Sequence, residues 1–241
     1  MKLSRYKRES DLSYALGATL VYELLNTHPE LIRRVFLRKS NQYGEDLTAL
    51  LNNLRAHHIE IIETSKAFNV LDAKDNCLLI AEFQKPKAVL SASPETPHLV
   101  LVNPSDAGNL GTIMRSAAAF GFQNLAIITP AIDYLNPKTI RASMGAIFHL
   151  NIQEFANFDE YCISQPTRVL YAFMLNKQAI QLPNLQLNHR NFALIFGNEA
   201  SGLPESFMAV AQPVFIPQSS NVDSLNLSVA TSIALYQFRQ K

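Results

Sequence analysis

Three short stretches of this sequence hold residues whose types and spacing suit chemistry on an anionic or polar substrate. The first is Asn103–Gly121, NPSDAGNLGTIMRSAAAFG. Asp106 or Asn109 can cap a helix there, while Gly108 and Gly111 let the backbone bend and approach a partner closely. Such a turn offers free N–H groups to an anion. It lacks the lysine-serine ending of a nucleotide P-loop and the glycine spacing of a dinucleotide fingerprint. Six residues after Asn109 comes Arg115, among small and apolar neighbours (Ile113, Met114, Ala117, Ala118, Ala119). A guanidinium in that company needs an anionic or polar partner, and a structural ion pair would meet the need as well as a substrate. Arg141, near the end of a second short helix stopped by Gly145, is a further cation, though helix C-termini favour arginine without any function.

The second stretch is Phe192–Leu203, FALIFGNEASGL, where a buried strand stops at the turn Gly197-Asn198-Glu199. Glu199 is the only acid between Glu160 and Glu205; a solvated turn glutamate is its plain reading. The third is the tail, IPQSSNVDSLNLSVA, from Ile216. Ser224 or Asp223 can cap the last helix. Asn226 and Ser228 fall in its first turn, where packing alone would not require them. The six histidines lie outside these stretches, so neither a Ser–His–Asp arrangement nor a histidine base is expected.

These loops need strands and helices to hold them. From Ser10, apolar residues at Leu12, Leu16, Leu20 and Leu24 predict one helix to about Thr27. Strands are predicted at Arg33–Leu37, Ile59–Glu63 and Cys77–Phe83, with a helix at Leu47–His57. Gln84–His98, with three prolines, reads as a linker. Strand and helix then alternate through strands at Leu99–Val102, Leu125–Ile128, Ala146–Ile152, Arg168–Phe173, Phe192–Phe196 and Pro213–Ile216. Helices are predicted at Leu110–Phe120, Asn136–Ala142, Phe158–Ser164 and from about Asp223. Nearly continuous apolar strands alternating with helices imply an α/β fold with a parallel sheet covered on both faces. The division expected is residues 1–84, a linker at 85–97, and a larger domain at 98–241.

Composition narrows the classes. With 241 residues, 48% hydrophobic and 17% charged, the chain can bury a sizeable core. No apolar run approaches the ~20 residues of a membrane span. The basic start MKLSRYKRESD leads into no apolar signal core, and Cys77 and Cys162 stand far apart in no ligand spacing. A cytoplasmic protein without a structural metal is expected. Net charge is +1, but residues 1–39 carry eight Lys and Arg against four acids, a patch that could face phosphates or simply water.

Taken together, the three stretches resemble the SpoU-type (TrmH-like) RNA 2′-O-ribose methyltransferases of the SPOUT superfamily. The resemblance rests on Asp106–Gly111 with Arg115 and Ala117–Gly121, on Ala193–Leu203, and on Ile216-Pro217 followed by Ser224–Ala230, all in order; Arg141–Ala146 matches the linking segment. It covers roughly residues 97–241. The sequence departs mildly at Ala107 (proline is usual), Ala200 (glycine is usual) and Asp223 (glutamate is common). The resemblance implies a deep C-terminal trefoil knot, with a small α/β domain in front that binds RNA, and a homodimer formed through the C-terminal domain. S-adenosylmethionine would be held near Phe196, Gly197, Asn198, Ile216 and Leu225. It implies methyl transfer to a ribose 2′-hydroxyl of rRNA or tRNA, with Arg115 as proton acceptor or alkoxide stabiliser. Asn109 would orient Arg115, Glu199 and Asn226 would organise the loops, and Ser224 would bind RNA phosphate or Arg115. A base-directed relative and a non-catalytic RNA-binding protein are the alternatives.

Overall fold

A computed structural model describes residues 5–40, 42–87, 89–176, 179–187 and 191–239. The chain divides into two compact units, one of residues up to Lys87 together with Asp133–His149, the other of residues up to Ile132 from the end of the first stretch and then Leu150 onwards.

The first unit opens with β1 (Leu12–Leu16), α1 (Ala18–Thr27) and β2 (Ile32–Leu37). The single helix predicted from Ser10 to about Thr27 is therefore a strand and a helix. The four-residue leucine spacing fits a strand, whose period of two puts Leu12 and Leu16 on one face, as readily as a helix. Gly17, at φ 117°, takes the backbone out of one and into the other. Next come α2 (Glu45–Ala56), β3 (Ile61–Glu63), a short α3 (Lys66–Val70) that periodicity did not reveal, and β4 (Leu79–Gln84). The sheet order is β1-β4-β2-β3, antiparallel except for β2 with β3. Tyr14, Phe36, Ala67, Phe68 and Ile80 form a core cluster.

Asp133–His149 belongs to this unit through specific contacts. The Ser13 hydroxyl donates to the Leu135 carbonyl at 2.6 Å, Tyr6 hydrogen-bonds Asp133, and Phe83 meets Phe148 edge-on with centroids 5.7 Å apart. A Cβ on Gly145 would lie 2.6 Å from Cγ of Glu23, so the segment packs tightly on α1. The segment contains α5 (Pro137–Ala142), capped by Asn136, and a 3-10 turn at Ala146–His149 where a strand was expected. Contiguous domain boundaries at 84 and 97 could not anticipate a later segment returning to the first unit.

The second unit begins with β5 (His98–Val102), α4 (Ala107–Ala119), β6 (Asn124–Ile128) and β7 (Asn151–Phe155). It continues with α6 (Phe158–Ser164), β8 (Val169–Phe173), β9 (Ile180–Gln181), β10 (Phe192–Phe196), β11 (Gln212–Phe215) and α7 (Leu227–Gln237). All seven strands are parallel, in the order β7-β6-β5-β10-β8-β11-β9. Each residue of β5, β6 and β10 is buried, as a sheet covered on both faces requires. The proline-rich stretch is no free tether: Leu90 is in the core, and its N–H donates to Gln153. The order reverses around β5 and β10, and in open parallel sheets the strand ends at such a reversal hold ligands.

Candidate active site

The loops after β5, β8, β10 and β11 all leave the sheet at its C-terminal edge, and there the three stretches meet. Asp106 caps α4 by accepting from the Asn109 N–H at 2.7 Å. The carboxylate of Glu199, from the loop after β10, lies over the same helix start. It accepts from the Ser105 hydroxyl at 2.7 Å, the Ser105 N–H at 3.1 Å, the Asp106 N–H at 3.2 Å, and the amides of Asn109 and Asn198, each at 3.4 Å. Burial pushes its pKa up, but the bonds from Ser105 and Asp106 outweigh burial and hold the carboxyl below its ordinary value. The solvated-turn reading of Glu199 is thus replaced by a carboxylate seated at a helix N-terminus.

Asn109 is the hub. Its amide donates to Glu199, while its carbonyl oxygen accepts from the Asn226 amide at 3.0 Å. The Asn226 oxygen in turn accepts from the N–H groups of Ser228 and Val229 and from the Ser228 hydroxyl. Asn226, rather than Ser224 or Asp223, caps α7, because its side chain accepts from two N–H groups of the first turn, those of Ser228 and Val229. The last helix accordingly starts at Leu227. Lower down, Ser116 and Ser232 hydroxyls share a hydrogen bond of 2.7 Å between α4 and α7, and Phe120 meets Tyr236 edge-on.

Beside this chain of bonds opens a cavity of about 660 Å³. Of the residues expected to hold a cofactor, Phe196, Gly197, Asn198, Ile216 and Leu225 all line it, as do Glu199 and Ser224. Its geometry depends on Gly197. A Cβ there would fall 2.2 Å from the carbonyl carbon of Gly202, so only glycine lets the two arms of the 197–203 loop close, through the bond from the Gly202 N–H to the Asn198 carbonyl. Gly202 itself adopts φ 66°. Ala200 is not among the positive-φ residues, so alanine in place of the usual glycine carries no backbone strain. Ala107 occupies the first position of α4, where the usual proline would be equally at home. Phe173 and Phe196 stack at 4.3 Å to floor the cavity, and among the described residues no backbone hydrogen bond of the loops involves Leu225.

A model of the SpoU rRNA Methylase family matches residues 96–236. The chain belongs to that family. A 23S rRNA (guanosine(2553)-2′-O)-methyltransferase of Bacillus subtilis is 28% identical over 228 residues, covering 92% of this chain and 86% of that protein. An uncharacterized tRNA/rRNA methyltransferase of Synechocystis sp. is 33% identical over 144 residues, 59% of this chain and 53% of the relative. A mitochondrial rRNA methyltransferase 3A of Danio rerio is 28% identical and is covered over 49% of its length. The chain thus spans about half the length of these last two relatives. Among solved structures, an AdoMet-bound rRNA methyltransferase from Sinorhizobium meliloti superposes with a TM-score of 0.81 at 24% identity, over 95% of this chain and 87% of that one. A small first unit followed by an all-parallel seven-stranded sheet is the architecture of the knotted SpoU fold.

Within this SpoU domain, two expected contacts are not formed. Arg115 is exposed on α4 with no hydrogen bond or ion pair among the described residues, and the Asn109 side chain turns to Glu199 and Asn226 instead of to it. Ser224 is exposed at the cavity rim and caps nothing. Sequence reasoning passed over Ser105, which gives Glu199 its shortest hydrogen bond. Its position, one residue ahead of a helix-capping aspartate, was the available signal.

Proposed function

We propose that this protein transfers a methyl group from S-adenosylmethionine to a ribose 2′-hydroxyl of rRNA or tRNA. The observation that carries the reading is the bonded chain Glu199–Asn109–Asn226, which ties all three stretches to the wall of one cavity. The cavity suits the donor: its volume is in the range of small-molecule sites, Ile216, Leu203 and Leu225 give apolar walls, and the glycine-closed loop leaves backbone groups at its surface. Phe196, Gly197, Asn198, Ile216 and Leu225 hold it. When bound, S-adenosylmethionine supplies an electrophilic methyl group on a sulfonium.

The remaining chemistry belongs to the chain. A neutral ribose hydroxyl is a weak nucleophile, and the group that binds it must stabilise negative charge on its oxygen. Arg115 is that group. A guanidinium gives up its proton too reluctantly to serve as a base, so it acts by holding the alkoxide and the neighbouring phosphate, as a preorganised cation does. Asn109, Glu199 and Asn226 fix the loops that shape the cavity, and the exposed Ser224 hydroxyl meets the RNA backbone. Arg115 does not line its own chain's cavity. Along α7, moreover, Val229, Ile233 and Tyr236 are 47%, 40% and 56% exposed at one-turn spacing, an apolar stripe without cover in a single chain. A homodimer joined on this face completes the site, with Arg115 serving the partner's cavity. Fifteen of the 21 Lys and Arg residues fall in the first unit, which supports RNA selection there. Two unpaired cysteines suit a reducing cytoplasm.

The test is methyl transfer from labelled S-adenosylmethionine to rRNA and tRNA, with 2′-O-methylribose identified by its resistance to alkaline and nuclease cleavage. Arg115→Ala should lower turnover by about 100-fold or more while donor affinity stays within a factor of about two. Methylated bases in place of 2′-O-methylribose would redirect the assignment to a base-directed enzyme.

A further inference from the structure

The cavity has a charge character that the three stretches do not explain. Its lining contains two carboxylates, Glu199 and Glu205, and among the described residues no lysine, arginine or histidine. Glu199 is committed to Ser105 and Asp106. Glu205 is exposed, with no hydrogen bond or ion pair among the described residues. It is nevertheless well placed. It opens a 3-10 turn, Glu205–Ala209, entered through Pro204. Residues three apart on such a turn eclipse one another, and Glu205 and Met208 both face the cavity. Between them Phe207 is buried in the core and packs on Phe158 with centroids 4.7 Å apart, which anchors the turn. The Met208 sulfur accepts from the Asn176 amide at 3.2 Å, linking the turn to the segment after β8. Glu205 is a free anion on a fixed support at the cavity wall.

Resting on the donor reading above, we infer that Glu205 is a charge-selecting residue, which makes the cavity prefer the sulfonium donor to the demethylated product. Loss of the methyl cation turns the sulfonium into a neutral thioether, so the donor carries one positive charge more than S-adenosylhomocysteine. Both acids act on that difference, and among the described residues no cation in the lining opposes them. Solvent and salt weaken the attraction between unit charges several ångströms apart near a protein surface but do not abolish it. The consequence is weaker retention of product after each turnover.

Titration calorimetry on the full chain decides it, with S-adenosylmethionine, S-adenosylhomocysteine and sinefungin, whose amine puts a positive charge close to the sulfonium position. The unaltered protein should bind the two cationic ligands more tightly than the product. Glu205→Gln keeps the shape and should weaken both by roughly two- to five-fold, leaving S-adenosylhomocysteine affinity unchanged; the wild-type preference should also shrink as salt is raised. Equal weakening of all three ligands, or no change in any, overturns the role of Glu205. Binding of none of the three by the unaltered protein overturns the donor reading instead.

Discussion

The two edges of the seven-stranded sheet both carry polar clusters built around an arginine or a carboxylate, and they are built to opposite specifications. At the N-terminal edge Arg168, only 7% exposed, gives Nη1 to the Thr96 carbonyl at 2.7 Å, Nη2 to the carbonyls of Ser91 and Ser93, and Nε to Gln165. His98 is fully buried beside it, with Nε2 donating to the Ser91 carbonyl at 2.9 Å and Nδ1 accepting from Tyr161. Nearly every donor is used, and the product is a pinned 90–97 segment. At the C-terminal edge the cluster around Glu199 is half-exposed, adjoins a cavity, and leaves Arg115 and Glu205 unpaired among the described residues. A buried polar cluster must be saturated because each orphaned group costs its full desolvation. An exposed charge without a partner costs little, and it remains free to bind something else. Saturation marks the structural arginine, and the spare cation is the one left open to the role proposed for it.

The largest expected effect tests that contrast directly. Arg168→Ala removes four hydrogen bonds from a buried cation, leaving the Thr96 carbonyl with no other donor among the described residues while Ser91 keeps His98 and Ser93 keeps Thr96. It should lower stability by about 3–5 kcal/mol. Arg115→Ala should leave stability within about 0.5 kcal/mol while lowering turnover by about 100-fold or more. Denaturant unfolding of the pair measures both, and equal destabilisation would erase the distinction between the two edges.

The pH response of the N-terminal edge comes next. Burial, and then the nearby Arg168 cation, pull the pKa of His98 from 6.5 down to about 4. The folded state therefore resists a proton that the unfolded chain accepts. Stability is complete above about pH 6.5 and falls as pH drops towards 4; that gap corresponds to about 3 kcal/mol at 1.36 kcal/mol per unit. A His98→Gln variant should lose this part of the slope, which unfolding midpoints measured across that window would show.

How much of this was legible in the sequence follows the same division. The strands Phe192–Phe196 and Leu125–Ile128 stood out because a doubly covered parallel strand is a continuous apolar run. Glycine stops and short polar loops located the C-terminal edge, and the residues around the cavity came from the resemblance. What stayed hidden depends on distant partners. Glu199 could not be told from a solvated turn residue, because its donors sit more than ninety positions earlier. Arg168 looked like the start of a strand, since the carbonyls it binds belong to a stretch that reads as a linker. The return of Asp133–His149 to the first unit rests on side-chain and backbone contacts such as Ser13 with Leu135, which leave no periodic trace.

A smaller effect separates charge from shape at Glu199. Glu199→Gln would turn an amide towards the Ser105 and Asp106 N–H groups, replacing an acceptor by a donor, and should cost about 2 kcal/mol. Because the folded-state pKa of Glu199 is depressed, its contribution is present above the ordinary carboxyl range and is lost as pH falls below it. The loss should appear in the wild type on acidification and be missing from the variant.

The smallest effect resolves the two jobs of Asn226, which caps α7 with its oxygen and bonds Asn109 with its nitrogen. Asn226→Ala removes both and should cost about 1 kcal/mol, the usual worth of a cap. Asn226→Asp keeps the acceptor for Ser228 and Val229 and adds a negative charge where a helix start favours one, so stability should stay within about 0.5 kcal/mol. Its second oxygen, however, faces the Asn109 carbonyl oxygen. Asn109 can relieve that clash only by turning its amide to Asn226, and doing so withdraws the donor from Glu199. The aspartate variant should therefore fold as well as the wild type yet bind donor or turn over more slowly. If it is indistinguishable in both, the bonded chain through Asn109 is packing and not part of the site.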